Sequence, residues 1–367
     1  MDSARQHPTI GQHQSRNAAV PDTAGLDAAG AGAGGPGVVA SAPEGTMRAV
    51  MQEEYGSADV LHLGRVRRPV VAADQVLVEV RAAGVDRGTW HVVTGTPYAI
   101  RLAMGLRRPR NQVPGMDVAG TVAAVGSKVT RFAVGDEVFG YGRGSFAEYA
   151  VASEAKLARK PAELSFEQAA ALAVSGSTAL QALRDAGRVR AGQQVLVIGA
   201  SGGVGSYAVQ LAAAFGAEVT GVSGTAKLDL VRALGARRAI DYTREDFADG
   251  SCRYDLILDI GGNSPLGRLR RALAPAGTAV IVGGEDAGRW TGLGRQFRAL
   301  ALSPFIRQRL VMMFAREGAA DLERLAEMAA AGQVVPAIGR TYPLERMPEA
   351  LRDLEAGKVR GKAVVVP

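Results

Sequence analysis

The chain has 367 residues, of which 47% are hydrophobic, 22% charged and 5% aromatic, and it carries a formal net charge of +7. That length suits two domains of about 100–200 residues each, and no run of about 18 uncharged apolar residues is present to cross a bilayer, so a cytoplasmic enzyme is expected. A single cysteine, Cys252, excludes an internal disulfide and a cysteine-rich metal cage.

Residues 1–46, rich in Ala, Gly, Pro, Ser and Gln, have no periodic apolar face and read as a disordered tail. The tail holds Arg5 and Arg16 against Asp2, Asp22, Asp27 and Glu44, so the positive charge lies in the rest of the chain. It lacks the apolar stretch of a signal peptide, and the strand-like MRAVMQ makes Met47 a candidate start of the folded chain. From 47 to 171, VLVEVRAAGV, DVAGTVAAVG, DEVFGYG and FAEYAVA alternate with Gly, Asp and Pro, which predicts an antiparallel, barrel-like domain. From 172 to 318 the rhythm becomes β-α-β, with QQVLVIGA, AEVTGVSG, RRAIDY, YDLILDIGG and TAVIVGG as buried parallel strands. Residues 319–367 turn strand-rich again around VVPAIGRTYPL and KAVVVP and are expected to return to the first domain.

The strongest motif is VLVIGASGGVGSYAVQLAAAFG, residues 195–216. An apolar strand ends at Ile198, a turn built on Gly199, Ser201, Gly202, Gly203, Val204 and Gly205 follows, and a helix begins. In the dinucleotide-binding register, Ala200, Gly202 and Gly205 form the fingerprint. Gly202 lets a diphosphate approach bare backbone, Gly205 lets the helix pack on the strand, and the helix start offers unpaired N–H groups. Gly199, Ser201 and Gly203 also satisfy the G-x-S-x-G elbow of hydrolases. Only His7, His13, His62 and His91 exist, none after Ser201, so the Ser-then-His order of that chemistry is absent and Ser201 is read as a turn residue near a phosphate.

An NAD site places Asp or Glu at the end of the second strand to bind the ribose 2′-OH. Here that strand ends in Ser223-Gly224-Thr225 with Lys227 beyond, a pattern that favours a 2′-phosphate and hence NADPH. A lysine at a helix start is as commonly just solvated. The basic charge is compatible with nucleic acid, but dispersed arginines and few aromatics favour a solvated surface that attracts an anionic cofactor.

With AAGVDRGTWHVVTGTPY, VPGMDVAGTVAAVG, VGDEVFGYGRGSFAEYA, SGSTALQAL and AIDYTREDF added to the glycine turn, the chain from Met47 to Pro367 resembles the quinone oxidoreductase branch of the medium-chain dehydrogenase/reductase superfamily, the branch of zeta-crystallin and enone reductases. The resemblance implies an α/β protein, a GroES-like β-barrel domain split around a Rossmann doubly wound parallel sheet, and a homodimer. Its reaction would be hydride transfer from NADPH, with NADH less favoured, to a quinone or enone. It places Lys227 and Tyr242 around the 2′-phosphate with Ser223 as the small residue beside them, and Thr178 by the nicotinamide; a helix-start role for Thr178 is the alternative. Asp86 and Met116 stand at positions where zinc-dependent relatives carry ligands, so no zinc is expected. Asp86 replaces an asparagine common in relatives, and a carboxylate accepts hydrogen bonds unless protonated. His91, beside Trp90, is a candidate proton relay, with packing the alternative. Tyr141 is a cleft candidate more simply read as buried, and YAIRLAMGLRRPR reads as a flap or a solvated loop. A redox sensor that binds NADPH without turnover and a nucleic-acid binder remain as other classes.

Overall fold

The protein is described here by a computed structural model covering residues 45–283, 290, 294–302 and 306–367, without the side chains of 295, 296 and 300. Almost all of the expected tail, and much of the loop after the fifth parallel strand, lie outside the described residues. Gly45 and Thr46 belong to the fold. Strand β1 (Thr46–Met51) pairs antiparallel with β2 (His62–Arg67), and the Gly45 carbonyl accepts from Arg68 N.

The first large sheet is organised around β3 (Gln75–Val85), whose run of valines and alanines is buried along most of its length. It pairs antiparallel with β4 (Asp117–Val125), β6 (Tyr149–Ser153) and β15 (Lys362–Val366). The sheet continues through β5 (Glu137–Tyr141) and β7 (Leu157–Arg159), and β14 (Ile338–Pro343) lies parallel to β15. Register shifts between β3 and β4 bend the long strand toward closure. Helices α1 (Arg87–Thr94) and α2 (Arg101–Met104) follow β3 in the chain.

The second sheet contains β8 (Gln194–Ile198), β9 (Glu218–Ser223), β10 (Arg238–Asp241), β11 (Tyr254–Asp259), β12 (Leu273–Ile281) and β13 (Arg309–Met312). All pairs are parallel and the order is β10-β9-β8-β11-β12-β13, a doubly wound sheet whose order reverses beside β8. Five of these strands were expected from sequence; β13, short and preceded by Arg307 and Gln308, was not.

Helix α3 (Phe166–Gln181) joins the two halves, packing on β3, β4, β5 and β15 and on α4 (Gly203–Ala214). Its start is fixed by a capping box, Ser165 with Gln168, and its alanines allow close approach on several sides. The approach to β3 is so close that a Cβ on Gly84 would fall 2.7 Å from the Ala170 carbonyl and on the Asp117 carboxylate. The remaining helices are α5 (Leu228–Ala233), α6 (Leu266–Ala272), α7 (Gly294–Leu302), α8 (Ala319–Ala330) and α9 (Met347–Glu355).

Candidate active site

The ends of β8, β9 and β11 meet where the strand order reverses, the position at which doubly wound sheets bind ligands. Gly199 takes a positive φ of 86°, and its N–H and that of Ala200 bond to the Val222 carbonyl, turning the chain off β8 into α4. A Cβ at Gly205 would lie 2.0 Å from the Gly199 carbonyl, which is the close helix–strand contact expected of the last fingerprint glycine. Gly202 has only that carbonyl within 3.5 Å of where its Cβ would be, so its outer side is open. Gly203 begins α4 and Val204 follows, partly buried. Ser201 is buried and its carbonyl accepts from Gly361 N, so the turn is tied to the chain leading into β15.

At the ends of β9 and β10, Ser223 is buried and pairs with Asp241 across the two strands, while Tyr242 is 62% exposed. The Tyr242 hydroxyl lies 3.4 Å from where a Gly224 Cβ would be. Lys227 donates to the carbonyls of Gly357 and Val359, both at 2.6 Å, and burial together with nearby Arg360 pulls its pKa down. It is therefore neither a freely solvated lysine nor one aimed only at a ligand. Arg360, which sequence reading passed over, donates to the Ala226 carbonyl and pairs with Asp229 at 2.5 Å. This end of the sheet also has an acid that the end of the second strand does not reveal. Asp241 accepts from Thr225 Oγ1, Thr243 N and Thr243 Oγ1, and these bonds hold its carboxyl below the usual range.

The cleft side is dominated by an ion triad. Lys362, fully buried at the start of β15, donates to Asp117 Oδ2 at 2.8 Å and lies 3.7 Å from Asp86 Oδ2. Asp117 Oδ1 accepts from Val174 N at 2.7 Å, so the triad links β3, β4, β15 and α3. Burial pushes the Asp117 carboxyl up to about 6 against the pull of Lys362, with Asp86 adding to the rise. Burial pulls the Lys362 ammonium down, and the two carboxylates outweigh it and leave its pKa raised.

Each candidate catalytic residue has partners of its own. Asp86 is the N-cap of α1 and accepts from Thr89 N and Thr89 Oγ1, which gives the carboxylate in place of asparagine a structural use. Thr178 is in the last turn of α3, not at a helix start, and its hydroxyl donates to the Val174 carbonyl at 2.7 Å. It thus stands one helical turn from the residue that holds Asp117. His91 Nδ1 is 2.6 Å from the Thr96 carbonyl, and its ring meets Trp90 edge-on. Tyr141 is buried opposite Asp117 in the β4–β5 ladder, where burial raises its pKa.

Two features show that the crevice suits a dinucleotide. The outer side of Gly202 is bare backbone, and beside Gly203 the buried Ser175 Oγ has no protein partner, 3.0 Å from where a Cβ would be. An anionic group on the open side of Gly202 would face the N–H groups at the start of α4.

Comparison with known proteins agrees with this architecture. The family described as "Alcohol dehydrogenase GroES-like domain" matches residues 72–162, and the one described as "Zinc-binding dehydrogenase" matches 234–365. Human "Quinone oxidoreductase" is 31% identical over 87% of this chain and 98% of its own, and the Arabidopsis thaliana "NADPH-dependent alkenal/one oxidoreductase, chloroplastic" is 33% identical over 88% and 80%. The quinone oxidoreductase structure from Coxiella burnetii superposes with a TM-score of 0.77 at 30% identity, covering 88% of this chain and 99% of that one. The chain belongs to the quinone oxidoreductase branch of the medium-chain dehydrogenase/reductase superfamily. It is an oxidoreductase of GroES-like and Rossmann construction.

In this quinone oxidoreductase relative, the segment after α1 is tied to the body of the protein. Arg101 donates to the Gly95 and Thr94 carbonyls and lies over the rings of Tyr55 and Tyr98, while Tyr55 donates to the Gly105 carbonyl. Ala99 N bonds to the Trp290 carbonyl and Tyr98 meets the Trp290 ring edge-on. Arg107, Arg108 and Arg110 are exposed. Among the described residues no group of three or more His, Cys, Asp or Glu could hold a metal ion. No described helix is long and apolar enough to cross a membrane.

Proposed function

We propose that the protein is a zinc-independent, NADPH-linked reductase that passes hydride to a quinone or α,β-unsaturated carbonyl. The observation that carries this reading is the abutment of the bare Gly202 turn, tied through Ser201 and Gly361 to β15, with the Lys362–Asp117–Asp86 triad at the mouth of the other sheet. Gly199, Ser201, Gly202, Gly203, Val204 and Gly205 would hold the diphosphate, and Ser223, Lys227 and Tyr242 the adenosine ribose. When bound, NADPH supplies the hydride from C4 of its nicotinamide.

The chain's own contribution is placement and proton handling. Thr178 Oγ1 already donates to Val174, so what it offers a nicotinamide carboxamide is an acceptor lone pair. The Thr96 carbonyl fixes a proton on His91 Nδ1, so a proton passed to substrate from His91 leaves from Nε2. Asp86, held by Thr89 and Lys362, fixes the start of α1 and thereby the position of His91. The folded halves are proposed as 47–171 with 319–367 and 172–318, with α3 common to both, and the enzyme as a homodimer, to be checked by its mass in solution.

A panel of quinones, enones and aldehydes with NADPH and NADH tests the reading: turnover of quinones or enones with NADPH is expected. Cofactor binding without turnover of any of them would favour the redox-sensor alternative, and salt-sensitive binding to oligonucleotides indifferent to NADPH would favour the nucleic-acid one. A second result is expected on metal. The purified protein should hold well under one zinc per chain and keep its activity in a chelator, because the ligand positions carry Asp86 and Met116. Stoichiometric zinc with activity lost on chelation contradicts the zinc-independent part alone.

A further inference from the structure

On the edge of the parallel sheet opposite the glycine turn, where β11, β12 and β13 begin, four arginines line one cavity of about 620 Å³: Arg253, Arg270, Arg271 and Arg307. Three other arginines of this sheet and its helices behave differently. Arg237 pairs with Glu218, Arg238 with Glu245 and Arg268 with Asp246. Among the described residues none of the four pocket arginines makes an ion pair with a carboxylate. Two are held by neutral acceptors instead. Arg253 donates to the Leu273 carbonyl at 3.2 Å, and Arg270 to Gln308 Oε1 at 3.3 Å. Gln308 in turn donates to the carbonyls of Arg270 and Ala274, locking the end of α6 and the start of β12 to the approach to β13. Arg253, Arg271 and Arg307 are exposed at the rim, and Arg270 is half-buried.

Neutral anchors orient a guanidinium without cancelling its charge, so the four side chains together favour a bound anion. The planar forks of arginine match phosphate oxygens in pairs. We infer that this cavity is a binding site for a small multivalent phosphate, separate from the cofactor crevice on the other edge of the same sheet. The inference goes beyond the reductase reading and does not depend on it.

The test is calorimetric titration of the full-length protein with sodium tripolyphosphate at fixed ionic strength, with NADPH saturating so that the glycine turn cannot take the probe. One saturable site per chain is expected, weakened about tenfold or more in the double variant R271E/R307E. That variant should keep its melting temperature, its NADPH affinity and its basal reduction rate, since both side chains are at the rim. Absence of saturable binding, displacement by NADPH, or equal binding in the double variant would each overturn the site. So would a single-stranded oligonucleotide that binds this face more tightly than tripolyphosphate, because the ligand would then be a polymer.

Discussion

Replacing Lys362 with methionine is expected to destabilise the protein by about 3–5 kcal/mol, the loss seen when one partner of a buried ion group is removed and the others stay charged. The aliphatic chain of methionine fills similar space, so the loss comes from the charge and not from a cavity. The deficit should depend on pH. Asp117 has a folded-state pKa raised to about 6, above its unfolded value of about 3.9. Its contribution is therefore fully present below the unfolded value and is lost as pH rises through the folded one. Without Lys362 the opposing pull on Asp117 disappears and that folded value moves higher still. Denaturant midpoints of Lys362→Met and wild type should thus lie closer together near pH 5 than near pH 8. Lys362→Arg, which keeps the charge, should recover part of the difference. A methionine variant within about 0.5 kcal/mol of wild type at both pH values would mean that the triad contributes nothing to stability.

This triad marks the limit of what the sequence discloses. The glycine turn is legible because its demands are local: Gly199 needs a positive φ and Gly205 a bare α-carbon against the Gly199 carbonyl, and both constraints fall within a few residues of one strand and one helix. The expected strands are legible for the same reason, since alternation and buried runs are short-range patterns. Lys362 and Asp117 are 245 residues apart and meet only because β15 and β4 flank β3. One local signal did exist, a lysine opening an otherwise apolar terminal strand, KAVVV, where a solvated position would not be 1% exposed. That Thr178 sits in the last turn of α3 and not at a helix start is not legible, because an alanine-rich run lacks the amphipathic period that marks where a helix stops. Asp241 escaped because it ends the third strand, and only the β9–β10 register sets it beside Ser223.

Lys227→Ala should weaken NADPH binding by about one to two orders of magnitude, a charged hydrogen bond being worth about 1.5–3 kcal/mol, and should leave NADH binding nearly unchanged. The bonds from Lys227 to the Gly357 and Val359 carbonyls make the experiment sharper than sequence alone would. Those carbonyls anchor the ammonium without neutralising it, so its charge remains available to a 2′-phosphate. Asp241, the nearby carboxylate, turns both oxygens to Thr225 and Thr243, which reduces its opposition to an incoming dianion. If Lys227 served only to fasten the turn before β15, its loss would free two carbonyls and loosen the Gly361–Ser201 link to the glycine turn. That link serves the diphosphate, which NADPH and NADH share. Titrations of both cofactors against wild type and variant therefore separate the roles: a loss confined to NADPH assigns Lys227 to the 2′-phosphate, and equal losses for both cofactors make it a structural tether.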